Sequence, residues 1–265
     1  MLVFIGLGLF DEKDVTLKGF EEAKKCDRVF VEFYTARLIG TSKEKLEELF
    51  GKEIKILNRK EVEDGRIILD EAKNKNIAFL TPGDPMTATT HIALRIQAKE
   101  MGIKTKIVHG VSIVSAASGL LGLQSYKFGR TTTLPFPEKD YLPESPYDII
   151  RQNKENGLHT LILLDIKPDR LMTANEGMKV LLRIEEKRKE KIVTPDTLMC
   201  VVARAGSDDY LISADYVNNL LNKDFGTPMH SLVIPGNLHF MEAEALVKLV
   251  NAPESIQNQS INKKH

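Results

Sequence analysis

Short apolar runs separated by amphipathic ones set the tightest limit on what this chain can fold into. Residues 2–5, 29–33, 54–57, 77–80 and 106–108 have the length and composition of buried strands. Between them, 17–25, 43–50, 66–73, 87–101 and 112–121 repeat apolar residues at helical spacing. Consecutive strands joined through helices are crossover-connected, and crossovers make neighbouring strands parallel. The expected fold class is α/β, with mostly parallel sheet.

A second set of the same kind follows, with strands at 160–165, 197–204 and 231–234 and helices at 172–189, 212–221 and 238–250. Between the two sets, "LPFPEKDYLPESPY" places Pro135, Pro137, Pro143 and Pro146 within twelve residues. Neither a helix interior nor a central strand tolerates that density. The expected organisation is an N-terminal α/β domain over 1–131, a connector over 132–146, a C-terminal α/β domain over 147–252 and a polar, frayed tail over 253–265. "EEKRKEK" at 185–191 alternates in sign and reads as a solvated helix end.

Composition narrows the function classes. Lys plus Arg and Asp plus Glu balance at 37 each, so no bulk field draws the chain to nucleic acid or membrane. Cys26 and Cys200 show no paired spacing, which points away from a disulfide framework or a zinc site and toward a reducing cytoplasm. The apolar start at 1–10 is short, lacks a basic lead and runs into Asp11-Glu12, so it reads as a buried strand rather than a signal peptide.

In open α/β sheets ligands gather at the carboxyl ends of strands. The first such loop, "FIGLGLFDEKD", carries Gly6 and Gly8, but the third position of a G-x-G-x-x-G fingerprint is Asp11, and no Walker pattern exists. The two glycines allow a close backbone approach, by a ligand or by packing alone. The next, "AFLTPGDPMTATTH", stiffens one carboxylate between two prolines. Asp84 can be a helix N-cap with Pro85 at the first helical position, or an outward-presented acceptor for ribose hydroxyls or an ammonium. In "VHGVSIVSAASGLLG", Ser112 opens a small-residue helix. Asp165, Arg204 and His230 punctuate strands of the second half, whereas His91, His109, His159 and His239 read as hydrogen-bonded structural groups. No His/Cys/carboxylate set has metal spacing, and no nucleophile-elbow serine appears.

Taken in order, "IGLGLFDEKDVTLKG", "VEFYT", "FLTPGDPMTATTH", "VHGVSIVSA", "GLHTLILLDIK", "MTANEGM", "VVARAGS" and "VIPGNLHFMEAEAL" resemble the diphthine synthases, from Met1 to about Pro253. That family belongs to the tetrapyrrole methylase (class III methyltransferase) type. The resemblance implies two α/β domains with a cleft between them for S-adenosylmethionine, a homodimer, and S-adenosylhomocysteine as product. It further implies methylation of the amino group on the 3-amino-3-carboxypropyl arm of a modified histidine of elongation factor 2. Cofactor contacts carried over by motif are Leu9, Asp84, Thr87, Ser112, Ile113, Leu164, Ala205 and His230; at Thr87 some relatives are apolar. The first loop lacks the proline-bearing segment of tetrapyrrole-ring methylases, so that branch's loop chemistry is not carried over.

Methyl transfer from a sulfonium to an amine is an in-line displacement, and holding the three atoms on one line is much of the catalytic task. The amine must be neutral to attack, yet no residue stands out in the sequence as the base. The rival readings are a tetrapyrrole-ring methylase and, from another class, a nucleotide-binding module without catalysis.

Overall fold

A computed structural model describes residues 1–139 and 141–257. The chain forms two compact units, Met1–Ile113 with Gly206–Asp208, and Val114–Ala205 with the described residues from Asp209 onward.

In the first unit β1 (Leu2–Gly6), β2 (Arg28–Glu32), β3 (Ile54–Leu57), β4 (Ile77–Thr81) and β5 (Thr105–Val108) form one sheet in the order β3-β2-β4-β1-β5. Every pairing in it is parallel, as the alternating pattern requires. Successive side chains of a strand face opposite ways. Val3 and Ile5 therefore enter a core with Val31 and Leu80, while Leu2 and Phe4 enter the opposite one with Phe30 and Phe79. Burial on both faces explains why these strands read as continuous apolar runs.

Capping sets the helix boundaries. Thr16 accepts from Gly19 N–H to open Leu17–Lys25, and Ser42 opens Lys43–Phe50, which Gly51 closes in the left-handed region. Asn58 and Glu61 form a capping box that starts Arg59–Asp64, a helix the apolar spacing had not marked. The helix expected over 87–101 begins only at Ile92 and runs to Glu100. Asp84 and Thr89 side chains bond the backbone ahead of it, and Ala88 has φ 56°, so local turns displace the first helical turn.

The second unit holds β6 (Thr132–Leu134), β7 (Thr160–Leu164), a hairpin of β8 (Ile166–Lys167) and β9 (Arg170–Leu171), then β10 (Leu198–Ala203), β11 (Leu211–Tyr216) and β12 (His230–Ile234). Its sheet runs β11-β10-β12-β7-β6, and only β6 and β7 pair in parallel. The mostly parallel sheet expected from the first set of runs is thus found in the first unit, whereas this second sheet is mostly antiparallel. Helices Ser145–Glu155, Ala174–Arg188 and Phe240–Val250 accompany it, and Leu134, Tyr147, Met178, Leu181, Val201 and Leu232 lie in its core.

The helix expected over 212–221 is mostly β11, with only Val217–Leu220 helical, because pairing with β10 across Cys200 and Ala214 outweighs local spacing. Within 132–146, the first residues are edge strand β6, and Pro146 stands in the first turn of Ser145–Glu155, where proline is tolerated. The proline run also lies wholly within the second unit. Of the tail, residues 255–257 are helical and Ile256 is buried, while 258–265 lie outside the described residues.

Candidate active site

The loops that follow β1, β4 and β5 lie side by side at the carboxyl end of the first sheet. Their backbones meet without intervening side chains. A Cβ on Gly6 would lie 2.5 Å from both Gly110 N and Gly83 O. Gly83 N–H donates to Gly8 O at 2.6 Å, and Leu7 N–H to Thr81 O at 2.8 Å, so the first loop is stitched to the second. Gly8 has φ 83°, which glycine adopts without strain. The residues after it are gathered by Asp14, whose Oδ2 accepts from Leu9 N–H at 3.1 Å and Phe10 N–H at 2.7 Å. Both glycines thus serve packing between loops, and Asp14, which the spacing of the motif did not mark, holds Leu9 in place.

Asp84 is not presented outward as the prolines suggested, nor is it a helix N-cap. Its side chain is 8% exposed. Oδ1 accepts from Met86 N–H at 2.9 Å and from the Thr87 hydroxyl at 3.2 Å. Oδ2 accepts from His109 Nδ1 at 2.7 Å. The carboxylate closes its own turn and reaches from the loop after β4 to the end of β5. Ser112 and Ile113 follow within four residues of His109, both half-buried. A Cβ on Gly83 would lie 4.0 Å from Ser112 Cα and Val111 O, an ordinary contact distance, so the turn after β4 also faces the backbone of the loop after β5.

A second polar cluster underlies the same loop. Glu32, at the end of β2, is fully buried and accepts from Tyr34 N–H (2.9 Å), Thr35 N–H (3.0 Å) and the Thr35 hydroxyl. Burial raises its pKa, partly offset by those donors. His91 lies beside it, with Nε2 3.8 Å from Glu32 Oε1. Burial lowers the His91 pKa to about 4, so the ring is neutral. Its Nδ1–H donates to Pro85 O at 3.0 Å, which leaves Nε2 to accept from Tyr34 OH at 3.4 Å. The "VEFYT" segment is thereby tied to the T-P-G-D-P turn through one imidazole.

In the second unit, Leu164 ends β7 and is buried. Asp165 beside it accepts from Phe136 N–H at 2.8 Å and Ile166 N–H at 2.9 Å, which fastens the proline-rich segment to β7. Ala205 is buried and follows Arg204, whose φ is 51°. The Arg204 guanidinium donates to Phe225 O at 2.7 Å, Thr227 O at 3.1 Å and Asp209 O at 2.9 Å. His230 is buried with its pKa lowered chiefly by desolvation. Nδ1 accepts from Ala174 N–H at 3.1 Å, and Nε2–H donates to Thr227 O at 3.1 Å. Arg204 and His230 therefore hold the 225–229 segment jointly, and the His230 ring has no nitrogen left over.

The "PGNLHFMEAEAL" block is explained by Glu242, which no pattern of spacing had indicated. Its buried carboxylate accepts from Gln124 N–H (2.9 Å), His239 N–H (2.8 Å), His159 Nε2 (2.9 Å) and Lys127 Nζ. Those donors outweigh desolvation, the largest single influence, and bring its pKa down to about 2. His159 Nδ1 accepts from Gly236 N–H at 2.9 Å, so this ring too is fully used. Among the described residues no group of three or more His, Cys, Asp or Glu could hold a metal, and no helix is long and apolar enough to cross a membrane.

Known proteins match this arrangement along nearly the whole chain. The family model described as Tetrapyrrole (Corrin/Porphyrin) Methylases matches residues 1–214. The chain belongs to that family. A diphthine synthase of Methanocaldococcus jannaschii is 54% identical over 251 residues, 93% of this chain and 97% of that protein. One of Methanosarcina acetivorans is 50% identical over 266 residues, 98% of this chain and 100% of that protein. The crystal structure of a diphthine synthase superposes with a TM-score of 0.90 at 37% identity, covering 97% of this chain and 98% of that one. Within the tetrapyrrole methylases, the chain therefore stands with the diphthine synthases. The resemblance read from the motif blocks is borne out, and with it the fold class.

Proposed function

We propose that the protein is a diphthine synthase: an S-adenosylmethionine-dependent methyltransferase that trimethylates the amino group of 2-(3-amino-3-carboxypropyl)histidine on elongation factor 2. The observation that carries this reading is identity of 50% or more with diphthine synthases over nearly full length. The residues fit the cofactor at the carboxyl end of the first sheet, where three strand-end loops meet by backbone and Ser112 and Ile113 are only half-buried. Leu9, Asp84, Thr87, Ser112 and Ile113 of the first unit, and Leu164, Ala205 and His230 of the second, are the residues proposed to hold it. Asp84 and His230 have their side chains committed to protein partners, so their part is to shape the loops and offer backbone. When bound, S-adenosylmethionine supplies an electrophilic methyl group. The protein's share is to hold nitrogen, carbon and sulfur in line.

The working form is proposed to be a cytoplasmic homodimer, since its protein substrate is a translation factor and the family pattern is dimeric. Incubation with S-adenosylmethionine and elongation factor 2, with and without the aminocarboxypropyl arm, tests the function by intact-protein mass spectrometry. Addition of three methyls to the armed protein alone is expected. Equal labelling of both forms, or none, refutes the substrate assignment.

A further inference from the structure

We propose that His109 is the general base of the methyl transfer, oriented by Asp84. The inference rests on the function proposed above, which requires an amine that is protonated at neutral pH to lose a proton before each attack. Asp84 Oδ2 lies 2.7 Å from His109 Nδ1. An ionised carboxylate only accepts, so Nδ1 carries the hydrogen and Nε2 presents a lone pair. The carboxylate is 8% exposed and is fixed by Met86 N–H and the Thr87 hydroxyl, whereas the imidazole is 72% exposed. A buried acid that fixes the tautomer of a reachable imidazole is the arrangement by which carboxylates hold catalytic histidines and stabilise the imidazolium. The main chain beneath is anchored, because Gly110 lies against Gly6 and Gly83.

The other described histidines lack this combination. His91, His159 and His230 are buried, with both ring nitrogens bonded, and His239 Nδ1 accepts from Met241 N–H as a helix cap. Among the described residues, Asp84 is the one charged group in hydrogen-bond or ion-pair contact with His109.

His109 Nε2 takes one proton from the substrate ammonium, giving the neutral amine and an imidazolium beside Asp84. The nitrogen lone pair forms the new N–C bond to the methyl carbon while the C–S bond breaks and its electron pair stays on sulfur. The imidazolium then releases its proton to solvent. Three rounds release three protons and leave a quaternary nitrogen with no lone pair.

The test uses His109→Asn, which retains a donor for Asp84 but no basic nitrogen, and His109→Ala. At neutral pH both are expected to methylate armed elongation factor 2 about 10²–10⁴-fold more slowly, the usual contribution of a general base. Calorimetric affinity for S-adenosylmethionine should stay within threefold of wild type. The deficit should shrink as pH rises toward the ionisation of the substrate amine, and added imidazole should partly restore His109→Ala. A third readout needs no turnover. Imidazole 15N NMR of the ligand-free protein should show His109 protonated at Nδ1, and lose that preference in Asp84→Asn. Rates within threefold of wild type for His109→Asn, or an affinity loss matching its rate loss, would overturn the assignment. A wild type that fails to methylate the armed factor refutes the proposed function instead.

Discussion

At the residue scale, one carboxylate and two imidazoles organise the loops after β4 and β5. Asp84→Ala removes three hydrogen bonds at once, one of them to His109. Loss of such a charged acceptor is worth about 1.5–3 kcal/mol. The melting temperature should accordingly fall, and affinity for S-adenosylmethionine should weaken only as far as the turn loosens, by thermal denaturation and calorimetry; an unchanged melting temperature would show that these bonds do not hold the loop. His91 permits a sharper experiment. Asn in its place can still donate to Pro85 O, whereas Gln reaches toward Tyr34 and forfeits that bond. His91→Asn is expected to bind S-adenosylmethionine at near wild-type affinity, and His91→Gln at least fivefold more weakly. Equal affinities for the two variants would show that the Pro85 bond does not position the turn.

At the level of the elements, the first sheet works as a platform whose loops are locked by backbone contact. Gly6→Ala would force a methyl to within 2.5 Å of Gly110 N and Gly83 O, neither of which can rotate away. Overpacking of this kind costs roughly 1–3 kcal/mol. The expected readouts are a lower urea midpoint and faster amide exchange across 6–10, 81–85 and 108–112, with the remainder of β1 unaffected. Exchange that rises evenly over the sheet would instead mean that the seam does not act as a local lock. The glycines themselves were legible in the sequence, but their purpose was not. A G-x-G after a strand is compatible with a ligand and with a neighbouring loop, and only the positions of Gly83 and Gly110 decide that the neighbour here is protein. The same holds for 212–221, where a helix-like pattern became β11 because β10 offered partners for its backbone.

For the whole molecule, Glu242 gives a pH signature. Its pKa is lowered from the usual carboxylate value to about 2 by donors that exist only in the folded state. The unfolded chain therefore binds more protons between about pH 4.5 and 2. The resulting stability, on the order of 2–3 kcal/mol, is present above that window and lost as pH falls through it. Urea unfolding of wild type and Glu242→Gln should differ by that amount at pH 7, and the gap should narrow below pH 4. A gap independent of pH would assign the effect to packing. The proposed homodimer predicts twice the 29.8 kDa chain mass by light scattering at micromolar concentration, and a monomer there would count against it.

What the sequence determined alone is whatever rests on local chemistry. The alternation of apolar and amphipathic runs specified β1 to β5 and their parallel order of connection, because a strand followed by a helix has few ways to bury both. The ordered motif blocks specified the family. Tertiary structure decided what depends on partners far apart in the chain. Asp84 turned inward because His109, 25 residues away, supplies a donor. Thr132–Leu134, just ahead of the prolines, became an edge strand because β7 pairs with it. Glu242 became the centre of a buried network because Gln124, Lys127 and His159 converge on it from more than 80 positions earlier. A carboxylate's role is set by its donors, and only the folded chain brings those donors within reach.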